Sequence, residues 1–213
     1  VPDDAPRQTT RPRALPRAAG LRSARAAAGA LAAATVIALL AGGCGDSRAT
    51  AVSLRAPARP RGFESLRVPS ADVSLRVPNN WLILRHERPP LRALIVSGGA
   101  VVALWRYAAS QPPPADRAGL ALDRTALLDG ARAHGGLLDV YGAKLTSVDG
   151  APAVRLDVRQ RIGRAVYRTL STHIYLPGSE VVLEESAPVG RFAQARREAF
   201  SAIVRSVRIL PGA

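Results

Sequence analysis

The sequence predicts an α+β chain: an antiparallel sheet flanked by helices, preceded by a signal segment and a flexible linker. Three observations carry this. From Val73 onward, short apolar runs are punctuated by Gly, Pro and Asn, the pattern of consecutive strands joined by tight turns. Near the C-terminus, Phe192, Ala195, Ala199, Phe200, Ile203 and Val207 recur at helical spacing instead, which gives one apolar stripe to lay on a sheet. Upstream, a basic segment leads into an uncharged apolar stretch that closes on the only cysteine, Cys44.

The upstream segment carries Arg7, Arg11, Arg13, Arg17, Arg22 and Arg25 against Asp3 and Asp4, and Ala26 to Leu40 has no charge. Basic, then apolar, then small is the order of an export signal. The run Leu39-Leu40-Ala41-Gly42-Gly43-Cys44 resembles the lipobox of bacterial lipoproteins. Ala41, Gly42 and Gly43 have almost no side chain, so a membrane peptidase can take the backbone before Cys44 in extended form. The resemblance implies that the Cys44 thiol receives a diacylglyceryl group and that cleavage leaves the cysteine as the new N-terminus. The usual Leu three places before the cysteine is Ala41 here, with Leu40 one place earlier. Two acyl chains, at roughly 0.8 kcal/mol per buried methylene, would make the anchor effectively permanent.

Three other readings compete. An uncleaved span is one, although Ala26 to Gly43 is at the short end of the roughly 20 apolar residues required. Cleavage after Ala49-Thr50-Ala51 and a buried structural cysteine are the others. No Arg-Arg pair precedes the apolar run, so the twin-arginine signature is absent. The chain lacks methionine and starts at Val1, as expected of a GTG start or of a later one near Leu21. The expected divisions are residues 1–43 as lipoprotein signal peptide, 44–62 as acylated cysteine and flexible linker, and 63–213 as the α+β domain.

Lys144 is the only lysine, and Ala, Arg, Gly and Pro abound, the bias of a GC-rich genome. Residues 1–43 hold six Arg and two Asp, so without them the formal charge falls from +14 to +10. That excess favours anionic headgroups, wall polymers or acidic proteins as partners. A lone cysteine excludes an intramolecular disulfide. Arg48, Arg55, Arg59 and Arg61, with Pro57 and Pro60, suit an extended linker near a membrane surface.

The elements follow in order. Val73 to Val77 is the first clear strand, stopped by Pro78 and the Asn79-Asn80 turn, and Trp81 to His86 is the second. After Pro89-Pro90, Leu91 to Ser97 and Ala100 to Tyr107 form a hairpin across Gly98-Gly99. A Pro-rich loop, Gln111 to Pro114, precedes a helix from Asp123 to His134, with Gly135-Gly136 as its stop. Strands then run from Leu138 to Ser147, from Pro152 to Arg159 after the Asp149-Gly150 turn, and from Ala165 to Leu176. Val154, Leu156 and Val158 alternate with Arg155, Asp157 and Arg159, the period of a sheet with one wet face. Pro177-Gly178 turns into Val181-Val182-Leu183, a helix spans Arg191 to Val204, and Ser206 to Leu210 adds a short edge strand.

The strand Val73-Ser74-Leu75-Arg76-Val77-Pro78-Asn79-Asn80-Trp81, the turn Asp149-Gly150-Ala151-Pro152-Ala153 and the closing Phe192, Phe200, Ile203, Ser206 and Val207 resemble, in that order, small bacterial lipoproteins with a PsbP-like domain, the LpqN type included. The resemblance covers Phe63 to Leu210. It implies a PsbP-like α/β/α sandwich and a role in binding or assembly, and it carries no catalytic residue to transfer.

Chemistry-bearing residues are sparse. His86, His134 and His173 stand on separate elements without HxH or HExxH spacing, which gives no metal site. Gly98-Gly99 and Gly135-Gly136 lack phosphate-loop or dinucleotide spacing. Trp81, Trp105 and Tyr107 are assigned to packing, or to a contact patch if the last two face outward. With no stacking platform, nucleic acid is not expected as a partner. The expected function is a non-catalytic lipoprotein on the extracytoplasmic face of the cell membrane, its domain binding an envelope protein or ligand. No catalytic, cofactor or metal residue is assigned; Cys44 is the lipidation site. The alternatives are an envelope enzyme, hydrolase-like, around Glu184, Glu185 and His173, and a binder of anionic wall polymer or lipid.

Overall fold

Strand register sets this structure. The computed structural model describes residues 56–86, 89–134 and 137–211; the expected signal peptide, Cys44 and the linker as far as residue 55 lie outside the described residues. The chain order is β1 (Phe63–Val68), a 3-10 turn (Pro69–Ala71), β2 (Val73–Pro78), β3 (Leu82–Arg85), β4 (Leu91–Ser97), β5 (Ala100–Ala108), α1 (Arg117–Ala133), β6 (Leu137–Val148), β7 (Ala151–Ile162), β8 (Ala165–Leu176) and β9 (Ser179–Pro188). Then come α2 (Val189–Ala195), a π-helical turn (Arg196–Phe200), α3 (Ser201–Arg205) and β10 (Arg208–Ile209). A small sheet is ordered β1-β2-β10 and a large one β3-β4-β5-β9-β8-β7-β6. Every pairing is antiparallel.

The turns obey their residues. Asp149 and Gly150 have φ of 49° and 84°, the two positive values that a two-residue hairpin turn of the primed kind requires. Asp149 does more than turn the chain: its carboxylate accepts from the Ile209 backbone N–H at 2.9 Å, fixing β10. The helix expected from Asp123 starts earlier. Asp116 caps it, its carboxylate accepting from the Gly119 N–H at 2.7 Å, and a cap of this kind stabilises a helix by about 1 kcal/mol. The first turn, Arg117-Ala118-Gly119, has no apolar periodicity to announce it.

Two segments differ from expectation. Phe63–Val68 is a strand in register with β2, from Phe63 opposite Pro78 to Val68 opposite Val73, although only Leu66 and Val68 are fully buried, with Phe63 half-buried against the core. Upstream, residues expected to be linker are docked. Pro57 is buried, the Ala58 carbonyl accepts from the Trp81 indole N–H at 2.9 Å and the Ala58 N–H donates to Ser97 Oγ at 2.8 Å. Asn80 holds the Arg59 carbonyl at 2.9 Å and the Arg61 N–H at 3.3 Å. Pairs of this kind can be read only when the partner strand is known.

The large sheet is covered on both faces. On one, α2, the π-helical turn, α3 and the small sheet lay Phe192, Phe200, Ile203, Leu75 and Val77 over Ile95, Val102, Leu104, Ile174 and Leu183. Phe200 sits between Trp81, edge-on at 6.2 Å, and Phe192 at 5.9 Å. On the other face α1 sets Leu120, Leu127 and Ala131 over Val154, Leu156 and Val158, which is the helix, sheet, helix layering the sequence predicts. Phe200→Ala is expected to lower stability by about 3 to 5 kcal/mol, as deletion of a buried aromatic does. The exposed Leu122→Ala, at 58 % exposure, should stay within about 0.5 kcal/mol of the parent. Urea unfolding of both variants checks the pair.

Candidate functional site

Residues opposite each other in an antiparallel pair point to the same face. Trp105 lies opposite Val182, Ala103 opposite Glu184 and Tyr107 opposite Glu180. Across the next interface, Ser171 lies opposite Glu184, His173 opposite Val182 and Tyr175 opposite Glu180. Trp105, Tyr107, Ser171, His173, Glu180 and Glu184 therefore share one face, the face that α1 covers. Leu91, Leu94, Val101 and Ala103 gather around Trp105 and Val182 on its β4–β5 side, and α1 closes its β6–β7 side. Between these apolar clusters runs a buried polar strip.

Part of the strip is fully paired. Gln160 Nε2 donates to Thr169 Oγ1 at 3.2 Å, and Thr169 Oγ1 meets Ser186 Oγ at 2.6 Å. His173 Nδ1 and Glu180 Oε1 form a buried pair at 2.7 Å. The remainder is not paired: the Trp105 indole nitrogen, the Tyr107 hydroxyl and the Ser171 hydroxyl are buried without a hydrogen-bond partner. Such groups are costly, on the order of 1 to 3 kcal/mol each, and they cluster about Glu184, itself 3 % exposed. Burial pushes the Glu184 carboxyl up to about 8, and the nearby Trp105 N–H offsets only part of that, without closing a hydrogen bond of good geometry. Tyr107 is raised well above its ordinary value, first by burial and then by the Glu184 and Glu180 carboxylates.

The residues singled out in the sequence separate here. Glu184 and Glu185 are neighbours in mid-strand, so they point to opposite faces and form no acid/base pair; nor are they a solvated edge, since both are buried. Glu184 and His173 do share a face. Glu180, His173 and Ser171 are the residue types of a hydrolytic relay, but Ser171 Oγ has no hydrogen bond to the imidazole, whereas a nucleophile needs its base within about 3 Å. His86 follows β3 and His134 follows α1; among the described residues no group of His, Cys, Asp or Glu side chains is placed to hold a metal. Trp81 is a core residue as expected. Trp105 is buried in the strip, so it forms no outward patch with Tyr107.

The sequence did contain a sign of this face. In an arginine-rich chain, Arg155, Arg159, Arg161 and Arg168 all fall on the opposite register of β7 and β8. The alternate positions hold Gln160, Thr169, Ser171 and His173, which are polar without a full charge, as suits a face that is both polar and dry.

No family model matches the sequence, and no curated protein matches it. Solved structures do. The solution structure of cyanobacterial PsbP (CyanoP) from Synechocystis sp. PCC 6803 superposes with a TM-score of 0.50 at 14% identity, over 79% of this chain and 98% of that one. The domain has a PsbP-like fold. The crystal structure of LpqN from Mycobacterium tuberculosis, a protein involved in cell envelope biogenesis, gives a TM-score of 0.49 at 14% identity over 73% of this chain and 90% of that one. The likeness to CyanoP is one of fold, which agrees with the PsbP-like resemblance carried by the strand, turn and helix residues.

Glu184 links the PsbP-like domain's stability to pH. Its folded value, about 8, lies above the ordinary 4.5, so between those values the folded state holds a proton that the unfolded state has released. Stability is then full below 4.5 and falls as pH rises toward 8. Thermal unfolding across that range should show a falling midpoint, and Glu184→Gln should flatten the slope substantially; a slope unchanged in the variant would assign it to other groups.

Proposed function

We propose that this chain is a non-catalytic lipoprotein, anchored through Cys44 on the extracytoplasmic face of the cell membrane, whose PsbP-like domain binds an envelope protein or ligand. The observation that carries this reading is the buried strip itself. The Trp105 N–H and the Tyr107 and Ser171 hydroxyls gather about the Glu184 carboxyl, buried and without hydrogen-bond partners of good geometry, and a polar guest admitted to the strip would satisfy them. No nucleophile in the strip is bonded to a base. The lipobox-like run ending in Cys44 supports the address, and the arginines between Cys44 and the domain suit an anionic membrane surface. Among the described residues no helix is long and apolar enough to cross a membrane.

The test uses the protein extracted from the membrane fraction of a bacterial host, beside a Cys44→Ala variant. Intact mass and the N-terminal peptide should show an acylated cysteine, lost in the variant. Cross-linking of the anchored protein should then trap one dominant species, and Tyr107→Phe combined with Glu184→Gln should weaken its capture several-fold. An unmodified start after Ala51, or an uncleaved chain, would refute the anchor. Reproducible capture that ignores the double variant would move the binding surface elsewhere on the domain.

A further inference from the structure

The other face of the large sheet carries a second polar feature. Arg155 from β7, Arg196 from the π-helical turn and Arg205 from α3 converge on an open cleft of about 180 Å³, completed by Glu185, Ser201 and Val204. Three guanidinium groups from three elements of the chain repel one another, so their convergence needs a compensating negative charge. Glu185 does not supply it in full. Its side chain is buried at 2 % residue exposure, and among the described residues no hydrogen bond or ion pair closes on its carboxyl. Burial pushes that carboxyl up to about 7, with Arg155 and Arg196 pulling it back. The charged groups facing it are Arg155 of β7, Arg196 of the π-helical turn and Arg205 of α3; Asp157, on the same face of β7, is engaged by Arg168, and the partners of Glu185 on the adjoining strands, Leu170 and Val102, are apolar.

The cleft is also built to a fixed shape. Arg155, which lines the cleft, is braced by its Nε, which donates to Thr172 Oγ1 at 3.1 Å. Arg196 opens the π-helical turn, a local departure from α-helical geometry that concentrates at functional sites. Ser201, the first residue of α3, adds a hydroxyl to the wall.

We propose that this cleft binds a phosphate group, with Arg155, Arg196 and Arg205 gripping its oxygens and Glu185, in its protonated form, donating a hydrogen bond to it. The number of donors selects the ligand. Guanidinium forks pair with phosphate or carboxylate alike, but three forks, a hydroxyl and a carboxyl proton exceed what the two oxygens of a carboxylate accept, whereas phosphate offers oxygens on every side. An anion next to Glu185 further disfavours its ionised form. Binding therefore takes up a proton at this residue, and the cleft holds its ligand more tightly as pH falls through about 7.

Calorimetry on the full chain in detergent tests this with three probes: inorganic phosphate, water-soluble dihexanoyl phosphatidic acid, and sulfate, whose charge is constant over the range. Saturable binding of inorganic phosphate that Arg196→Ala weakens about tenfold or more, a change of about 1.4 kcal/mol, is the result expected for a soluble phosphate compound. Binding of the phosphatidic acid alone, with the same sensitivity, identifies a lipid headgroup as the source. Sulfate should bind several-fold more tightly at about pH 6 than at about pH 8, and Glu185→Gln should abolish that difference while retaining binding. Should Arg196→Ala fail to fold, Arg205→Ala, at another exposed position, reads the same loss. The proposal is overturned if neither phosphate probe saturates, if the arginine variants leave affinity unchanged, or if Glu185→Gln keeps the pH dependence.

Discussion

The structure turns on β9, the strand at the middle of the large sheet, paired to β5 on one side and β8 on the other. A strand with partners on both edges and layers on both faces has no side chain free to choose its surroundings, because the two-residue period assigns each to one layer or the other. Val181, Leu183 and Ala187 go to the layer under the C-terminal helix, and Glu185 goes with them. Glu180, Val182, Glu184 and Ser186 go to the layer shared with α1. A one-residue slip would exchange these sets, burying two carboxylates in the main apolar core and taking Leu183 out of it. The register of this strand therefore fixes both polar features of the domain at once.

Three carboxylates on the central strand of a small domain are expensive, and the fold handles each differently. Glu180 is matched by His173, a local pairing that satisfies both members. Glu184 is held mainly in its neutral form by a dry environment, and Glu185 is balanced between burial and two guanidinium groups. Apolar replacements of similar size would relieve all of these penalties, as buried ionic groups generally are no more stable than well-packed hydrocarbon. The presence of these polar groups at a cost in stability is the physical ground on which both faces are proposed as binding sites.

Much of the fold was legible because it was local. The Asp149-Gly150 turn, the hairpin across Gly98-Gly99, the strand from Ala165 to Leu176 and the stripe led by Phe192 and Phe200 are set by neighbouring residues. What escaped was set at a distance. β1 depends on β2 for its pairing, and Ala58 depends on the Trp81 indole and the Ser97 hydroxyl, neither of which its own sequence announces. The start of α1 rests on the Asp116 side chain rather than on apolar period. The polar strip was harder still. Thr169, Ser171 and His173 alternate with Leu170, Thr172 and Ile174 as the wet side of a strand would, and only the layers above them make that side dry. Glu184 and Glu185, adjacent in sequence, look like a unit until the pleat sends them apart.

The small sheet places the two ends of the domain's chain close together. β1 and β10 lie on either side of β2, with Arg67 and Arg208 both opposite Ser74, so about 10 Å separates the strands and roughly 20 Å separates the entry at Phe63 from the exit at Leu210. A joining peptide of fewer than about ten residues spans that gap. The domain is thus topologically close to a ring: it is suited to circular permutation, or to insertion as a whole into a surface loop of another protein, where the joining peptide also accommodates the docked residues 57–61 ahead of β1.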